Sequence, residues 1–387
     1  MKKVGILTFH RATNYGALLQ AYSLIIKLKN DYPNISFELV DYSTMVASID
    51  HFKTVVKPLL SGNLKASYAE FNKNRILSKF SESLPRSKKR ILSDKIEKIS
   101  AYINNTYDAI IVGSDAVFSW RNKVFPTIYL LKDVKKPIKL SYAASAHGLH
   151  YKNASKDIIS YCNEAFSSFD YLGVRDNETE KLVKYCAPHV KLHHNCDPTI
   201  FFDLESIRNE KNNVCKKLSK LKLDKNKPLM LIMSPDEKIG NYIVREYSKH
   251  YNIVSLFIPN KAIDKSIMNL TPFEWANVFS FAQFVVTEYF HGTIFSLKNG
   301  IPTLSIDKTS ANSGYEGKIK DLLVRRLQLP EIYLNIDDIC LEGCDIIKNR
   351  IENISRNFCK NSVFNAIIEE GKEYDTFTHS FEALLLK

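Results

Sequence analysis

The sequence predicts an α/β protein with mostly parallel sheets, built from two βαβ-type halves. Short apolar runs, of the length of buried strands, alternate with stretches whose apolar residues recur at helical spacing. Polar residues and glycines follow many of these runs, where a strand gives way to a helix. The pattern restarts after a predicted linking helix at about 203–222, which indicates two domains, 1–200 and 201–387.

The first half has the strand and helix succession of a parallel sheet. Residues 45–105 interrupt it as a mostly helical, polar excursion that we expect to pack on or near the sheet. Helices are predicted at about 17–30, 152–168 and 175–185. Strands are predicted at 4–9, 36–41, 107–113, 139–145 and 171–174.

The second half repeats this succession and ends in about 40 amphipathic, helical residues. Helices are predicted at 236–247, 272–281, about 291–299 and 315–327. Strands are predicted at 228–233, 253–258, 284–286 and 301–306.

Composition favours a globular protein of the cytoplasm. Hydrophobic residues make up 45% and charged residues 25% of the chain, as in soluble domains. No apolar run approaches the roughly 20 residues that a membrane span needs. The seven cysteines contain no Cys-x-x-Cys pair, which fits reduced thiols better than a disulfide framework.

The net charge of +12 indicates an anionic partner. A phosphorylated substrate and an anionic membrane surface both fit, whereas no nucleic-acid signature accompanies the charge. One dense basic run, 86–90, can bring the protein to a membrane or simply be a solvated surface. The run 193–197 contains metal-ligand types, but adjacent ligands on extended chain point apart, and we expect no metal site.

The segment 287–293 is the first candidate site. It follows the predicted strand 284–286 and opens a helix, where unpaired N–H groups and the helix dipole favour an anion. Gly292 allows the backbone to approach a ligand closely. His291 can donate a hydrogen bond or move a proton, or it can simply pack in the loop between strand and helix.

Other polar residues lie at comparable places in the first half. In the loop after the first strand, Arg11, Asn14 and Gln20 can bind a polar ligand, with simple turn chemistry as the alternative. Asp115 and His147 follow two further strands, where open α/β sheets bind ligands, although Asp115 can also be a helix N-cap. Arg175 can hold a phosphate or carboxylate, or form a surface ion pair with Asp176 or Glu178.

Taken together, these short segments resemble the polysaccharide pyruvyl transferase family. In order and spacing the resemblance covers residues 4 to about 327. Each matching piece is short, and the set carries the signal: Gly5–His10, Asn14–Tyr22, Val112–Asp115, Ser141–Ser145, Val174–Asp176, Asp197–Thr199 and Phe290–Leu297.

The resemblance implies two Rossmann-like domains facing across a cleft, as in GT-B glycosyltransferases. It implies phosphoenolpyruvate as the donor, a sugar hydroxyl pair as the acceptor, free or lipid-linked, and no cofactor. It also implies a product that carries a pyruvate ketal on capsule, exopolysaccharide or cell-wall saccharides. The first domain is expected on the acceptor side and the second on the donor side.

The residue roles are hypotheses from chemistry and resemblance together. His291 is expected to contact phosphate or act as a general acid, and Asp115 to act as the base, with His147 as its alternative. The expected donor-binding residues are Arg175, Tyr289, Phe290, His291, Gly292 and Thr293. The expected acceptor-binding residues are His10, Arg11, Asn14, Tyr15 and Gln20.

Two rival interpretations remain open. A GT-B glycosyltransferase that uses a nucleotide sugar shares the fold, and Glu316 is the one weak candidate for binding its ribose. A non-catalytic basic protein that binds anionic polymers or membrane surfaces predicts salt-sensitive binding without dependence on His291.

Overall fold

The computed structural model describes residues 1–386 except 61, 63, 120–124, 147, 150, 258–259 and 311–312. The chain forms two compact units. The first comprises Met1–Phe202 with Gly371–Lys387, and the second comprises Asp203–Glu370.

The first unit is built on a six-stranded sheet in which all neighbouring strands are parallel. Its strand order is β2-β1-β5-β6-β7-β8, from β1 (Lys3–Leu7), β2 (Ser36–Leu39), β5 (Ala109–Val112), β6 (Ile138–Ala144), β7 (Tyr171–Val174) and β8 (Leu192–His194). A separate parallel pair joins β3 (Tyr42–Ser43) to β4 (Ile91–Leu92). The helices are α1 (Tyr15–Asp31), α2 (Met45–Leu60), α3 (Leu64–Ser83), α4 (Ile96–Thr106), α5 (Lys156–Ser167) and α6 (Asn177–Cys186).

The second unit has a six-stranded parallel sheet of its own. Its order is β11-β10-β9-β12-β13-β14, from β9 (Leu229–Met233), β10 (Asn252–Leu256), β11 (Ser266–Ile267), β12 (Phe284–Thr287), β13 (Thr303–Asp307) and β14 (Tyr333–Asn335). The helices are α7 (Lys211–Ser219), α8 (Glu237–Tyr247), α9 (Pro272–Val278), α10 (Phe290–Lys298), α11 (Lys318–Lys320), α12 (Ile336–Glu342), α13 (Asp345–Asn357) and α14 (Lys360–Gly371).

These two sheets confirm the predicted fold class, two Rossmann-like halves with parallel sheets flanked by helices. All nine predicted strands are present. Two helices differ from expectation. The predicted helix at 203–222 is a 3-10 segment, Glu205–Glu210, followed by α7, and the one predicted at 315–327 is α11 continued by a π-helix, Asp321–Arg326.

The last helix, α15 (Glu373–Leu385), corrects the expectation that the whole C-terminal tail belongs to the second domain. It belongs to the first unit because Phe377 and Phe381 are fully buried in that unit's core. The Phe377 ring lies 5.0 Å from the Tyr142 ring, and the Phe381 ring lies 4.9 Å from the Tyr32 ring.

Among the described helices, none combines the length and apolar content of a membrane span.

Candidate active site

In the first unit, the buried carboxylate of Asp197 joins residues from three different parts of the chain. Asp197 follows β8, Arg175 follows β7 and Gln20 lies on α1. One oxygen of Asp197 accepts hydrogen bonds from Gln20 Nε2 at 2.5 Å and Arg175 Nη1 at 2.9 Å. The other accepts from the backbone N–H and the hydroxyl of Thr199, at 3.0 and 2.6 Å. Asp197 therefore fixes the ends of two strands and one helix in a single network.

Arg175 lies in this network and not at the surface. Its guanidinium is nearly fully buried, with Asp176 at 3.8 Å as a second carboxylate. Burial alone disfavours the cation, but the carboxylates of Asp197, Asp176 and Asp115 outweigh it and raise the pKa of Arg175. The ion pair with Asp176 considered from the sequence is present, but it is buried and not at the surface, and the charge is held at the sheet's carboxyl edge.

Asp176 links helix α6 to the residue that follows β6. Its carboxylate caps helix α6 through Thr179 N–H at 2.9 Å and accepts from Ser145 Oγ at 2.5 Å. Burial would raise its pKa, but Arg175 and the hydrogen bonds from Ser145 and Thr179 lower the pKa of Asp176. The residues that follow β6 and β7 are thus tied together by a charged carboxylate.

Asp115 stands on strained backbone at the end of β5. Its φ is 87°, a left-handed conformation that non-glycine residues rarely adopt. The strand end of β6 holds it there, since Ser145 N–H donates to the Asp115 carbonyl at 2.9 Å. Its carboxylate is half-buried and accepts from Ala116 N–H at 2.8 Å, and it does not cap a helix. The sequence alternative of a helix N-cap is therefore wrong.

Gly113, two residues earlier, explains how the chain enters this turn. Its φ is 126°, and a Cβ placed on it would lie 2.0 Å from the Tyr142 carbonyl oxygen. Only glycine fits so close to β6. Gly113 therefore allows Asp115 to sit directly beside the end of that strand.

His10 and Arg11 converge on a carboxylate that the sequence reading did not select. Arg11 donates to Asp41 through two nitrogens, at 2.6 and 2.8 Å, and His10 Nε2 lies 3.4 Å from the same carboxylate. Burial would raise the pKa of Asp41, but the hydrogen bonds from His10 and Arg11 hold it well below its usual range. Asp41 follows β2, so the rule that located Asp115 also applies to it.

The rest of the first loop is divided between turn chemistry and the buried network. Asn14 is the N-cap of α1 and accepts from Gly16 N–H at 2.8 Å, which is the turn role weighed from the sequence. Tyr15 is buried in the first turn of α1. Gln20 is fully buried and donates a hydrogen bond to Asp197, so its role is to hold the network in place and not to contact a ligand in the loop.

The second unit presents the predicted strand, turn and helix around His291. Helix α10 begins at Phe290, and the side chain of its N-cap, Tyr289, makes no capping hydrogen bond. N–H groups in a helix's first turn have no acceptor within the helix, which suits an anion. His291 is half-buried in this turn, with its ring 5.2 Å from that of Phe290.

Gly292 and Thr293 serve packing. A Cβ on Gly292 would lie 2.4 Å from Thr287 Oγ1, so the close approach allowed by this glycine is to β12. Thr293 is fully buried, and its hydroxyl lies 2.8 Å from Ser305 Oγ on β13. The two residues seat α10 on the sheet, and the Thr293 side chain faces the protein interior.

An ion pair between a buried carboxylate, Glu288, and a half-exposed lysine, Lys308, was not selected from the sequence. Glu288 accepts from Ser234 Oγ at 2.9 Å and lies 2.5 Å from Lys308 Nζ, while Lys308 is itself half-exposed. Burial raises the pKa of Glu288, and Lys308 opposes that rise. A cation thus stands at the end of β13, one strand away from the start of α10.

His147, the alternative base, lies outside the described residues. Over the part of the chain that the structure describes, no group of three or more His, Cys, Asp or Glu side chains is arranged to hold a metal ion. The predicted residues therefore form two groups: one at the carboxyl edge of the first sheet, and one around the start of α10 in the second unit.

Two parallel Rossmann-like sheets with polar residues at their strand ends define a GT-B-type protein. The chain belongs to the polysaccharide pyruvyl transferase family, whose model matches residues 14–309. No curated protein matches the chain. This match confirms the resemblance drawn from the sequence and supports a transferase of polysaccharide biosynthesis.

Solved structures of the same fold are distant in sequence. S. aureus MnaA, solved with UDP, is 11% identical, with a TM-score of 0.57 over 100% of this chain and 97% of that one. The UDP-GlcNAc 2-epimerase of Methanocaldococcus jannaschii is 12% identical, with a TM-score of 0.56 over 98% and 100%. That of Rickettsia bellii is 13% identical, with a TM-score of 0.55 over 99% and 97%. At these identities the likeness extends to the fold alone.

Proposed function

We propose that this protein transfers the enolpyruvyl group of phosphoenolpyruvate to a pair of sugar hydroxyls, forming a pyruvate ketal. One hydroxyl adds to C2 of the donor while C3 gains a proton. The second hydroxyl then replaces the phosphate at C2 and its proton leaves with the phosphate, so one ketal and one inorganic phosphate form. The observation that carries the proposal is family membership across most of the chain, together with the charged residues at the strand ends.

Donor binding is assigned to the second unit. The start of α10 offers N–H groups to an anion, and His291 stands in that turn to contact phosphate or donate the proton to C3. Lys308 adds a half-exposed cation at the neighbouring strand end. The close packing of Gly292 and the buried side chain of Thr293 keep the helix in place, so we assign these two residues a share in donor binding through their backbone alone.

Acceptor chemistry is assigned to the first unit. Asp115 has a half-buried carboxylate on strained backbone, and we assign it the hydroxyl proton, with His147 as the alternative base. Arg11 is held at the adjoining strand end by Asp41, where it can orient a sugar oxygen. Arg175 fixes the geometry of this edge, and its burial between Asp197 and Asp176 makes it a positioning residue.

The test is a thermal-shift titration of the wild type with phosphoenolpyruvate, with UDP in parallel. A ligand at about 100 times its Kd adds about 2.7 kcal/mol, or roughly 5–10 °C for a unit of this size. The variant His291→Ala should lose the shift. His250→Ala, an exposed histidine of the same unit, should keep it.

The rival glycosyltransferase makes the opposite prediction. UDP alone would then shift the melting temperature, and phosphoenolpyruvate would not. Glu316, the residue considered for ribose binding, has its carboxylate 2.8 Å from Arg325 Nη2, an ion pair that a ribose hydroxyl would have to displace. If His291→Ala kept the full phosphoenolpyruvate shift, the assigned donor site would be wrong.

A further inference from the structure

Helices α2 and α3 form a hairpin, residues 45–83, that the proposed chemistry does not use. The two helices pack against each other but leave large apolar side chains exposed. Leu60 is 82% and Leu64 69% exposed, on either side of the turn. The hairpin holds more than half of the exposed large apolar residues among those described: Met45, Ile49, Phe52, Leu59, Leu60, Leu64, Tyr68 and Phe71.

The spacing of these residues shows that the exposure is organised. On α2 they recur at intervals of three, four and seven, through Met45, Ile49, Phe52 and Leu59. On α3 the stripe Leu64–Phe71 continues the same period. Such a stripe usually faces a core. Here both stripes face outward, as on helices that lie in a membrane interface.

The hairpin and the segment that follows it also hold most of the protein's excess charge. Residues 45–90 contain ten lysines and arginines against three acidic residues, a formal charge of +7 out of the chain's +12. Lys88, Lys89 and Arg90 are exposed directly after α3. Apolar stripes along the hairpin, together with cations in the segment that follows it, complement an anionic lipid surface.

The base of the hairpin is tied to the first loop of the candidate site. Pairing of β3 with β4 brings the start of α2 next to the basic segment 86–90. Arg86 Nη1 lies 3.6 Å from Asp41, the carboxylate that also holds His10 and Arg11. The basic segment and the predicted acceptor-binding loop therefore share one buried anion.

We propose that the α2–α3 hairpin docks the protein on an anionic membrane surface. Leu59, Leu60 and Leu64 insert among the lipids at the turn, and Lys88–Arg90 contact lipid phosphates. A second copy of the chain fits less well because two surfaces of +7 repel each other. Nucleic acid would leave the apolar stripes uncovered. The proposal does not depend on the identity of the donor.

The charge arm of the test uses flotation of the full chain with vesicles of phosphatidylcholine alone or mixed with phosphatidylglycerol. Wild type should float only with the mixed vesicles, and less at high salt. With about fivefold in affinity per lysine or arginine, reversing three charges should weaken binding by a hundredfold or more. The variant is Lys88→Glu/Lys89→Glu/Arg90→Glu, and its matched control on the second unit is Lys216→Glu/Lys220→Glu/Lys225→Glu.

The apolar arm compares two pairs of equally exposed residues. Leu60→Ser/Leu64→Ser should weaken binding by roughly tenfold or more, because two inserted side chains are lost. Leu341→Ser/Ile368→Ser, at 84% and 62% exposure in the second unit, should leave binding unchanged. Circular dichroism of each variant confirms that it is folded.

Three results would overturn the proposal. The wild type would fail to float with mixed vesicles at low salt, or float equally with phosphatidylcholine alone, or lose binding equally in the variants and their controls. Sedimentation velocity adds a fourth: if the leucine variant abolished a dimer while vesicle binding was nil, a second copy would be the occupant.

Discussion

Asp197→Asn should cost the first unit about 3–5 kcal/mol of unfolding free energy. Asparagine keeps one oxygen for Thr199 but places an amide NH2 where the other oxygen stood. That amide would face two further donors, Gln20 Nε2 and Arg175 Nη1. Breaking a buried ion pair and stranding its cation costs this much in general. Because Asp176 remains 3.8 Å from Arg175, we expect the lower end of the range.

Hydrogen-exchange mass spectrometry measures this loss where it arises. In the variant, the free energy of the opening reaction through which peptides covering β7 and β8 exchange should be lower than in the wild type by the same amount, about 3–5 kcal/mol. Glu180→Gln, which removes the exposed pair between Lys184 and Glu180, is the control and should cost under about 0.5 kcal/mol. A loss below about 1 kcal/mol for Asp197→Asn would refute the role of Asp197 as the anchor of this edge.

Three further changes test other parts of the structure. Phe377→Ala should lower the unfolding free energy of the first unit by about 3–5 kcal/mol, measured by urea unfolding, whereas truncating the exposed Leu341 should lower it little. Equal effects of the two substitutions would contradict the placement of α15 in that core. Asp41→Asn should destabilise the protein most near pH 7. Because the pKa of Asp41 is lowered in the folded protein, its carboxylate stabilises the fold at pH values above the ordinary carboxyl pKa, and this contribution is lost as the pH falls toward the pKa of the folded state. A difference in melting temperature between wild type and variant that did not change with pH would contradict this. Gly292→Ala should cost about 1–3 kcal/mol, because its Cβ would lie 2.4 Å from Thr287 Oγ1, and an unchanged melting temperature would argue against that contact.

The strands in the interiors of the two sheets were predictable because both of their faces are buried. Each reads as a continuous apolar run, such as Phe284–Val286 or Ile110–Val112. The short strands β8, β11 and β14 were missed because they lie at sheet edges. There, two or three residues with one covered face give no clear apolar run.

The positions of the candidate-site residues were more predictable from the sequence than the contacts that these residues make. The positions of Asp115 and Arg175 at the sheet's carboxyl edge were predictable because polar residues after buried strands are conspicuous in the sequence. Their partners were harder to find, since the contact between Gln20 and Asp197 joins positions far apart in the chain. Asp41 could have been found by the same strand-end rule. The inward direction of the Thr293 side chain could not, because it depends on how α10 seats on β13.

Helix α15 has a consequence for synthesis on the ribosome. The chain enters the second unit after Phe202 and returns to the first at Gly371. The aromatic residues Tyr374, Phe377 and Phe381 complete the core that β1 and α1 begin. That core therefore stays open while every residue of the second unit is made. We therefore expect the first unit to gain its full stability only after the second unit has been synthesised, although most of its own residues precede that unit in the chain.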